Sequence, residues 1–455
     1  MAPAEHGRSG AHVFVLSNAG KPIFSTAGAE ADLSSLSAVM QALVSFVRGK
    51  GDSDELQWVE GGGRRFVFEV REPLYLVAVT DSREHPACAA RLLHYVHLQI
   101  LFVLTASFDK VFRADASYDL RSLLGGTDKG LRSLICAART RPDVLLEAVA
   151  CVPLPPGTRA EFGRVLQLVE ANLLFALLTV RGKVVSVVET CRRPLGASDL
   201  ILLNNLLLSS QSLRAADESW VPVCLPGLDS RAFVHAHVSF VDPASDLCLV
   251  LITPRADDFE RLAAARQQVM QRLSPATRDA LRQAVEANLA EVDVGTLGIP
   301  ALSHFVCLDR VAGVYVCARF PGSGGAAPGG AVLATTGSSD APGATAEPAP
   351  NGSGESGESG NADSGDSAGE AGEPLLEVYQ RLHAELHATS PPLSLLFVAD
   401  GRHALLGLVT DEYELYTAHG PLCTKAEASA AAQALLRWVQ RQRSTLVLEK
   451  HLNWA

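Results

Sequence analysis

Four stretches of this 455-residue chain carry residue types at spacings that chemistry uses. Gly365-Asp366-Ser367-Ala368-Gly369 fits the G-x-S-x-G pattern, which presents a nucleophilic serine on a strand-to-helix elbow. Gly125-Gly126-Thr127-Asp128-Lys129 has the glycines of a phosphate loop but lacks the closing Gly-Lys-Ser/Thr. His94 and His97 stand three apart on an apolar helical stretch, where two imidazoles could share a metal. His235 and His237 alternate on a strand-like run and so share one face, with Asp242 and Asp246 close behind.

Each has a plainer reading. The serine sits in low-complexity Gly/Ser sequence with no strand or helix to build an elbow. His94 and His97 lack further ligands and read as satisfied or interfacial. Asp242-Pro243-Ala244-Ser245-Asp246 is hairpin punctuation, which leaves His235 and His237 a structural or interface role. No nucleophile, base and orienter can be assembled, so the chain reads as a non-enzyme with no cofactor and no metal.

Charge narrows the class further. The net charge is −11, but residues 321–373 hold eight acids and no lysine, arginine or aromatic residue. Without that segment the balance is −11 + 8 = −3. The segment cannot bury enough apolar surface to offset its ordering entropy and reads as a disordered insertion. A nearly neutral remainder lacks the basic stripe of a nucleic-acid binder. Nine cysteines form no C-x-x-C pair; most, such as Cys224, Cys248, Cys307 and Cys317, lie in apolar strand-like runs and read as buried thiols of a reducing compartment. Residues 1–10 are polar, and no uninterrupted apolar run is bilayer-length, so a cytosolic protein is expected.

The elements that position these residues repeat three times. Apolar runs flank a Gly-containing turn at 12–25, 173–189 and 304–320, each a hairpin. A helical pattern follows at 33–47, 199–213 and 375–387, then three strand-like runs, then a closing helix at 87–104, 258–273 and 425–442. The predicted class is α+β: three longin-like domains, each a five-stranded antiparallel sheet with packed helices. The boundaries are 11–115, a helical connector at 116–170, then 171–297 and 298–455, the last carrying the 321–373 insertion.

Between residues 33 and 47 the first helix has no charge. Phe46, Val39, Leu43, Leu36, Val47, Met40, Leu33 and Val44 form a stripe about 160° wide at 100° per residue. Ser34, Ser37, Ala38, Gln41, Ala42 and Ser45 lie opposite. A face of Ser and Ala without Lys and Glu is expected to pack on another protein, or on a connector of this chain. The second-domain helix has a similar set, Asn204, Asn205, Ser209, Ser210, Gln211 and Ser212. The third instead carries Glu377, Arg381 and Glu385, the pattern of a solvated face. Trp220 reads as a core residue or a recognition aromatic. Arg437, Arg441, Arg443 and Lys450 give the last helix a basic side, solvated or in contact with anionic lipid.

Several segments resemble the SAND family: HVFVLSNAGKPIFS from His12, YDLRSLLGG from Tyr118, WVPVCLP from Trp220 and FVHAHVSFVDPASDLCLVL from Phe233. GIPALSHF from Gly298, ELYTAHGPLCTK from Glu414 and LLRWV from Leu435 continue the match in family order. The resemblance implies three longin domains and pairing with a second three-longin protein, of the calcium-caffeine-zinc sensitivity family. It implies guanine-nucleotide exchange on a late-endosomal or vacuolar Rab GTPase. Recruitment by an early-endosomal Rab and a phosphoinositide-rich membrane follows, peripheral on endosome and vacuole. The implied exchange surface takes in Ser17, Asn18, Lys21 and Ile23 of the hairpin and Ser37, Gln41 and Ser45 of the first helix. Ser37→Glu with Ser45→Lys is expected to abolish pairing or exchange without unfolding the chain. Trp220, Phe233, His235 and His237 are the candidates for the recruiting Rab, and Arg437, Arg441 and Arg443 for lipid. A trafficking adaptor without exchange activity is the alternative. The family's long acidic N-terminal extension has no counterpart before the first strand, and the third hairpin, CLDRVAGVYVCARF, departs from the family's more polar segment.

Overall fold

The computed structural model describes residues 11–27, 30–48, 56–108, 127–167, 173–190, 193–242, 246–286, 292–320 and 374–448. The 321–373 insertion, with its G-x-S-x-G sequence, lies outside these, as do Gly125, Gly126, Tyr118 and Lys450. In the first domain, strands β1 (His12–Ser17) and β2 (Pro22–Ser25) form the hairpin and helix α1 (Glu30–Arg48) follows. Strands β3 (Trp58–Gly61), β4 (Arg64–Arg71) and β5 (Leu74–Asp81) precede helix α2 (Pro86–Leu104). The last strand enters between first and fourth, giving the antiparallel order β2-β1-β5-β4-β3.

The connector contributes α3 (Asp128–Thr140), α4 (Asp143–Leu146), the short strand β6 (Val149–Ala150) and α5 (Pro156–Gln167). The second domain runs β7 (Phe175–Val180), β8 (Lys183–Glu189), α6 (Ala197–Ser209), α7 (Gln211–Ala215) and β9 (Ser219–Leu225). It continues α8 (Pro226–Asp229), β10 (Ser230–Asp242), β11 (Leu247–Thr253), α9 (Phe259–Arg272) and α10 (Pro275–Glu286). The third has β12 (Leu302–Asp309), β13 (Val314–Cys317), α11 (Leu375–Leu386), β14 (Leu395–Ala399), β15 (Ala404–Val409), β16 (Tyr413–His419) and α12 (Lys425–Leu446). Sheet orders β8-β7-β11-β10-β9 and β14-β15-β16-β12-β13 repeat that of the first domain, read in one direction or the other. The threefold plan is therefore a repeat of topology.

The central strands explain the continuous apolar runs. β11 is buried at all seven positions and β16 likewise, because helices cover both sheet faces. One large core joins all three domains, with Leu93, Val96 and Ile100 of α2, Leu200, Ile201 and Leu203 of α6, and Leu435 and Val439 of α12. On the other face of the first sheet, α1 closes a separate, smaller cluster of Phe14, Leu16, Met40, Val44, Phe68, Tyr75, Val77 and Val79.

Four details differ from the sequence expectation. The third sheet gains a sixth strand, because β6 from the connector pairs parallel to β13, Val149 beside Val314. The helix expected over 199–213 is two, broken at Ser210, whose hydroxyl caps α7 by accepting the Leu213 N–H. Helix α12 runs four residues further than expected, from a Thr424–Glu427 capping box to Leu446. Helix α2 is long and apolar enough to cross a membrane, yet its Leu92, Leu93, Tyr95, Val96 and Ile100 are buried in the core. The eight cysteines within the described residues are all free.

Candidate functional site

The first hairpin and α1 are held together by backbone geometry. Gly20 takes a positive φ of 77°, and a Cβ there would collide with the Gln41 amide. That clearance lets Gln41 Nε2 donate to the Asn18 carbonyl at 3.1 Å, so the turn and the helix form one surface. Asn18 and Lys21 are exposed on it, and Ile23 is half-buried. Ser17 is not part of it. It is buried, its N–H donates to the Lys21 carbonyl at 2.9 Å, and its Oγ accepts the Lys21 N–H at 3.1 Å. Ser17 closes the turn and offers nothing outward.

Helix α1 is rolled relative to the expected face. Ser37 points inward with Met40 and Val44; it is 2% exposed, and its Oγ finds no hydrogen-bond partner among the described residues. A charge at Ser37 would enter the core, so the Ser37→Glu, Ser45→Lys pair cannot test a surface. Ser45 is exposed as expected, and Gln41 is half-buried. The residues missed are Val39, 55% exposed, and Phe46, 63% exposed. With Ala38, Ala42 and Ser45 they make an outward face that is uncharged and partly apolar. The signal was present: Phe46 and Val39 lay at one edge of a stripe broader than the sheet covers.

The equivalent helix of the second domain is covered from within. Asn205 is 1% exposed, and its Nδ2 donates to Gln99 Oε1 of α2 and to the Gly130 carbonyl of α3, both at 2.9 Å. Asn204 donates to the Gly182 carbonyl at 2.9 Å. The expectation that α6 presents its polar positions to another protein is corrected for the two asparagines: Asn205 bonds to this chain's own connector and closing helix and Asn204 to the β7–β8 turn, while Gln211 and Ser212 of α7 remain exposed. On α11, Glu377 and Glu385 are exposed as expected.

The second-domain candidates form an aromatic stack. Trp220 and His235 lie parallel with centroids 5.4 Å apart, and Phe259 of α9 meets Trp220 edge-on at 5.9 Å. His237 faces the same side, as alternation requires, but is 0% exposed, 2.9 Å from the Glu218 carboxylate, which also pairs with Arg266. Burial lowers its pKa against the pull of Glu218. His237 therefore fastens α9 to the sheet and cannot meet a partner. Phe233 remains, 43% exposed, with Trp220 and His235 half-buried beside it. Asp242 pairs with Arg282 at 3.2 Å and Asp246 with Arg214 at 3.4 Å, so neither turns to the histidines as a ligand.

On α12, Arg437 and Arg441 are exposed. Arg443 is corrected: its Nε donates at 2.8 Å to the buried carboxylate of Asp309, an internal bond. His97 is desolvated, which pushes its pKa down to about 4, and His94 lies 3.6 Å from Glu69. Among the described residues one group of metal-type side chains converges, His383, His387 and Glu414, with donor atoms within 4.8 Å of one another.

Comparison with known proteins agrees with this architecture. The families described as the first, second and third longin domains of FUZ, MON1 and HPS1 match residues 11–134, 171–271 and 355–443. The chain is 34% identical over 440 residues to human vacuolar fusion protein MON1 homolog A, covering 96% of this chain and 60% of that protein. It is 32% identical over 446 residues to protein SAND of Takifugu rubripes, covering 97% and 77% respectively. The rice vacuolar fusion protein MON1 homolog is 30% identical over 478 residues, with 97% and 76% covered. With the same three-longin order along nearly its whole length, the chain belongs to the MON1/SAND family of vacuolar fusion proteins.

Proposed function

We propose that this chain is one subunit of a heterodimeric guanine-nucleotide exchange factor for a late-endosomal or vacuolar Rab GTPase. Its partner is a second three-longin protein of the calcium-caffeine-zinc sensitivity family. Family relatives are named vacuolar fusion proteins, which supports a role in traffic toward the vacuole. The observation that carries the exchange reading is the outer face of α1. Val39 and Phe46 stand exposed there between Ala38, Ala42 and Ser45, with no charge from residue 33 to 47. An aromatic anchor surrounded by small residues is what a protein interface uses at its centre. The adjoining turn with Asn18 and Lys21 supplies a polar rim.

Exchange breaks no covalent bond. A factor that binds the nucleotide-free GTPase more tightly than the GDP-bound form lowers the barrier to GDP release. A surface built jointly by two first longin domains requires the pair, and not one chain, for activity. Phe233 with Trp220 and His235 is the site assigned to the recruiting early-endosomal Rab. Arg437 and Arg441 are assigned to anionic phosphoinositide membrane.

The experiment follows fluorescent GDP release from a panel of Rab GTPases with the chain alone, the partner alone and the pair. Acceleration by the pair alone is the expected result. A stable pair that accelerates none of the Rabs overturns the exchange reading and leaves the trafficking adaptor in its place.

A further inference from the structure

The C-terminal end of α11 and the start of β16 bring together an arrangement that the trafficking role does not use. His383 and His387 are one turn apart and share a helix face, their rings 4.3 Å apart between centroids. His383 Nδ1 and His387 Nε2 each lie 3.0 Å from the same carboxylate oxygen, Oε1 of Glu414. The Tyr416 hydroxyl also donates to that oxygen and lies 2.6 Å from His383 Nδ1. A carboxylate oxygen offers two lone pairs, so three polar neighbours overcommit it. Meanwhile His383 Nε2 is buried with no protein partner, in a side chain 9% exposed.

We propose that His383, His387 and Glu414 form a zinc site that clips the end of α11 to the third sheet. Tetrahedral zinc with bonds of about 2.0–2.2 Å spaces its donors about 3.3–3.5 Å apart. The two present nitrogen–oxygen separations of 3.0 Å need to widen by about 0.3–0.5 Å to admit the ion, and the two nitrogens, within 4.8 Å of each other, need to take up the same spacing. Two imidazoles and one carboxylate suit zinc and disfavour magnesium or calcium, which take oxygen ligands. The His387 side chain is 30% exposed, giving the ion a path in and leaving a fourth position for water.

The outer shell also fits. The Tyr416 hydroxyl donates to the Glu414 carboxylate and steadies its orientation toward the ion. Metal on Nδ1 puts the His383 proton on Nε2. His383 also lines a cavity of about 60 Å³ with Arg91, Cys88 and Leu145. Helix α11 resumes the fold directly after residues 321–373, so a clip at its far end fixes how the chain re-enters the sheet.

The test takes the full-length chain, strips it with EDTA, and titrates it with zinc chloride, then with cobalt chloride for its visible spectrum. One equivalent of zinc per chain, a tetrahedral-type cobalt spectrum and a Tm raised by zinc are expected. His387→Ala, at the solvent boundary, is expected to fold and to lose at least about a hundredfold in zinc affinity; Tyr416→Phe is expected to lose about tenfold. Glu414→Gln, nearly the same shape, provides a second ligand deletion, with circular dichroism checking that each variant is folded. Failure of the stripped native chain to take up zinc from micromolar solution overturns the proposal. So does zinc binding by folded His387→Ala equal to the native chain's.

Discussion

Helices α1 and α6 occupy the same place in the first and second longin domains, and neither carries a lysine, arginine or glutamate along its centre. One is bare and the other is enclosed. On α6 the Asn205 amide crosses a seam to α2 and α3, and the Asn204 amide reaches the β7–β8 turn. On α1 the uncharged polar face is mostly serine and alanine, too short to bridge anything, and Val39 and Phe46 stand out among them. Lack of charge is therefore compatible with two different surroundings. On an enclosed helix an ion without a partner is costly. A helix awaiting a protein partner avoids charges that pairing would strip of water.

The largest expected effect comes from treating α6 as though it were outside. Asn205→Lys puts an ammonium into the α2–α3–α6 seam and removes two hydrogen bonds. It is expected to cost about 3–5 kcal/mol in urea unfolding followed by circular dichroism. A cost below about 1 kcal/mol there would mean that the seam is open to water and that the two helices do not differ.

Next comes the converse on α1. Val39→Asp with Phe46→Asp is expected to change folding stability by under about 1 kcal/mol. Affinity for the partner, measured by calorimetry, should fall at least about thirtyfold, as for loss of an aromatic anchor. A pair that forms with unchanged affinity would show that this face is not where the partner docks.

The smallest effect separates the helices by pH. Burial raises the Asp199 carboxyl of α6 to about 6 from its ordinary 3.8, against two backbone N–H groups, Gly227 and Leu228, that lower it. A raised carboxyl pKa means that the folded chain keeps the proton longer than the unfolded chain. The stabilisation is complete below pH 3.8 and is lost as pH rises through about 6. Asp199→Asn keeps an acceptor for the Gly227 N–H, 3.0 Å away, and avoids the buried charge. It is expected to be about 1–2 kcal/mol more stable than the native chain at neutral to alkaline pH, with no gain in acid. Helix α1 has nothing to titrate between residues 33 and 47, so no such pH dependence arises there. An Asp199→Asn gain that persists undiminished in acid would remove the charge as its cause.

Much of the fold was legible because each strand is a short apolar run ending at a turn residue, and the series recurs in the same order. The β1–β2 turn, with Asn18 and Gly20, and the central run from Leu247 to Ile252 could be read directly. The surfaces were harder. Periodicity gave α1 a stripe that included both Met40 and Phe46, but the first sheet accommodates only the part around Met40 and Val44. The roll that seats them carries Ser37 inward and leaves Phe46 outside. Alternation put His237 beside His235, yet could not report that Phe259 packs 5.5 Å from His237. Arg443 read as one of a basic row because Asp309, its partner, is 134 residues away.

The sequence alone determined the threefold α+β plan and the position of the acidic insertion. These depend on local periodicity and composition. Tertiary structure decided which uncharged helix is covered, which histidine is buried and that His383, His387 and Glu414 meet. The reason is physical: a residue's pattern of neighbours along the chain fixes which side of its element is apolar. What stands opposite that side comes from contacts such as Gln99 with Asn205, 106 residues apart.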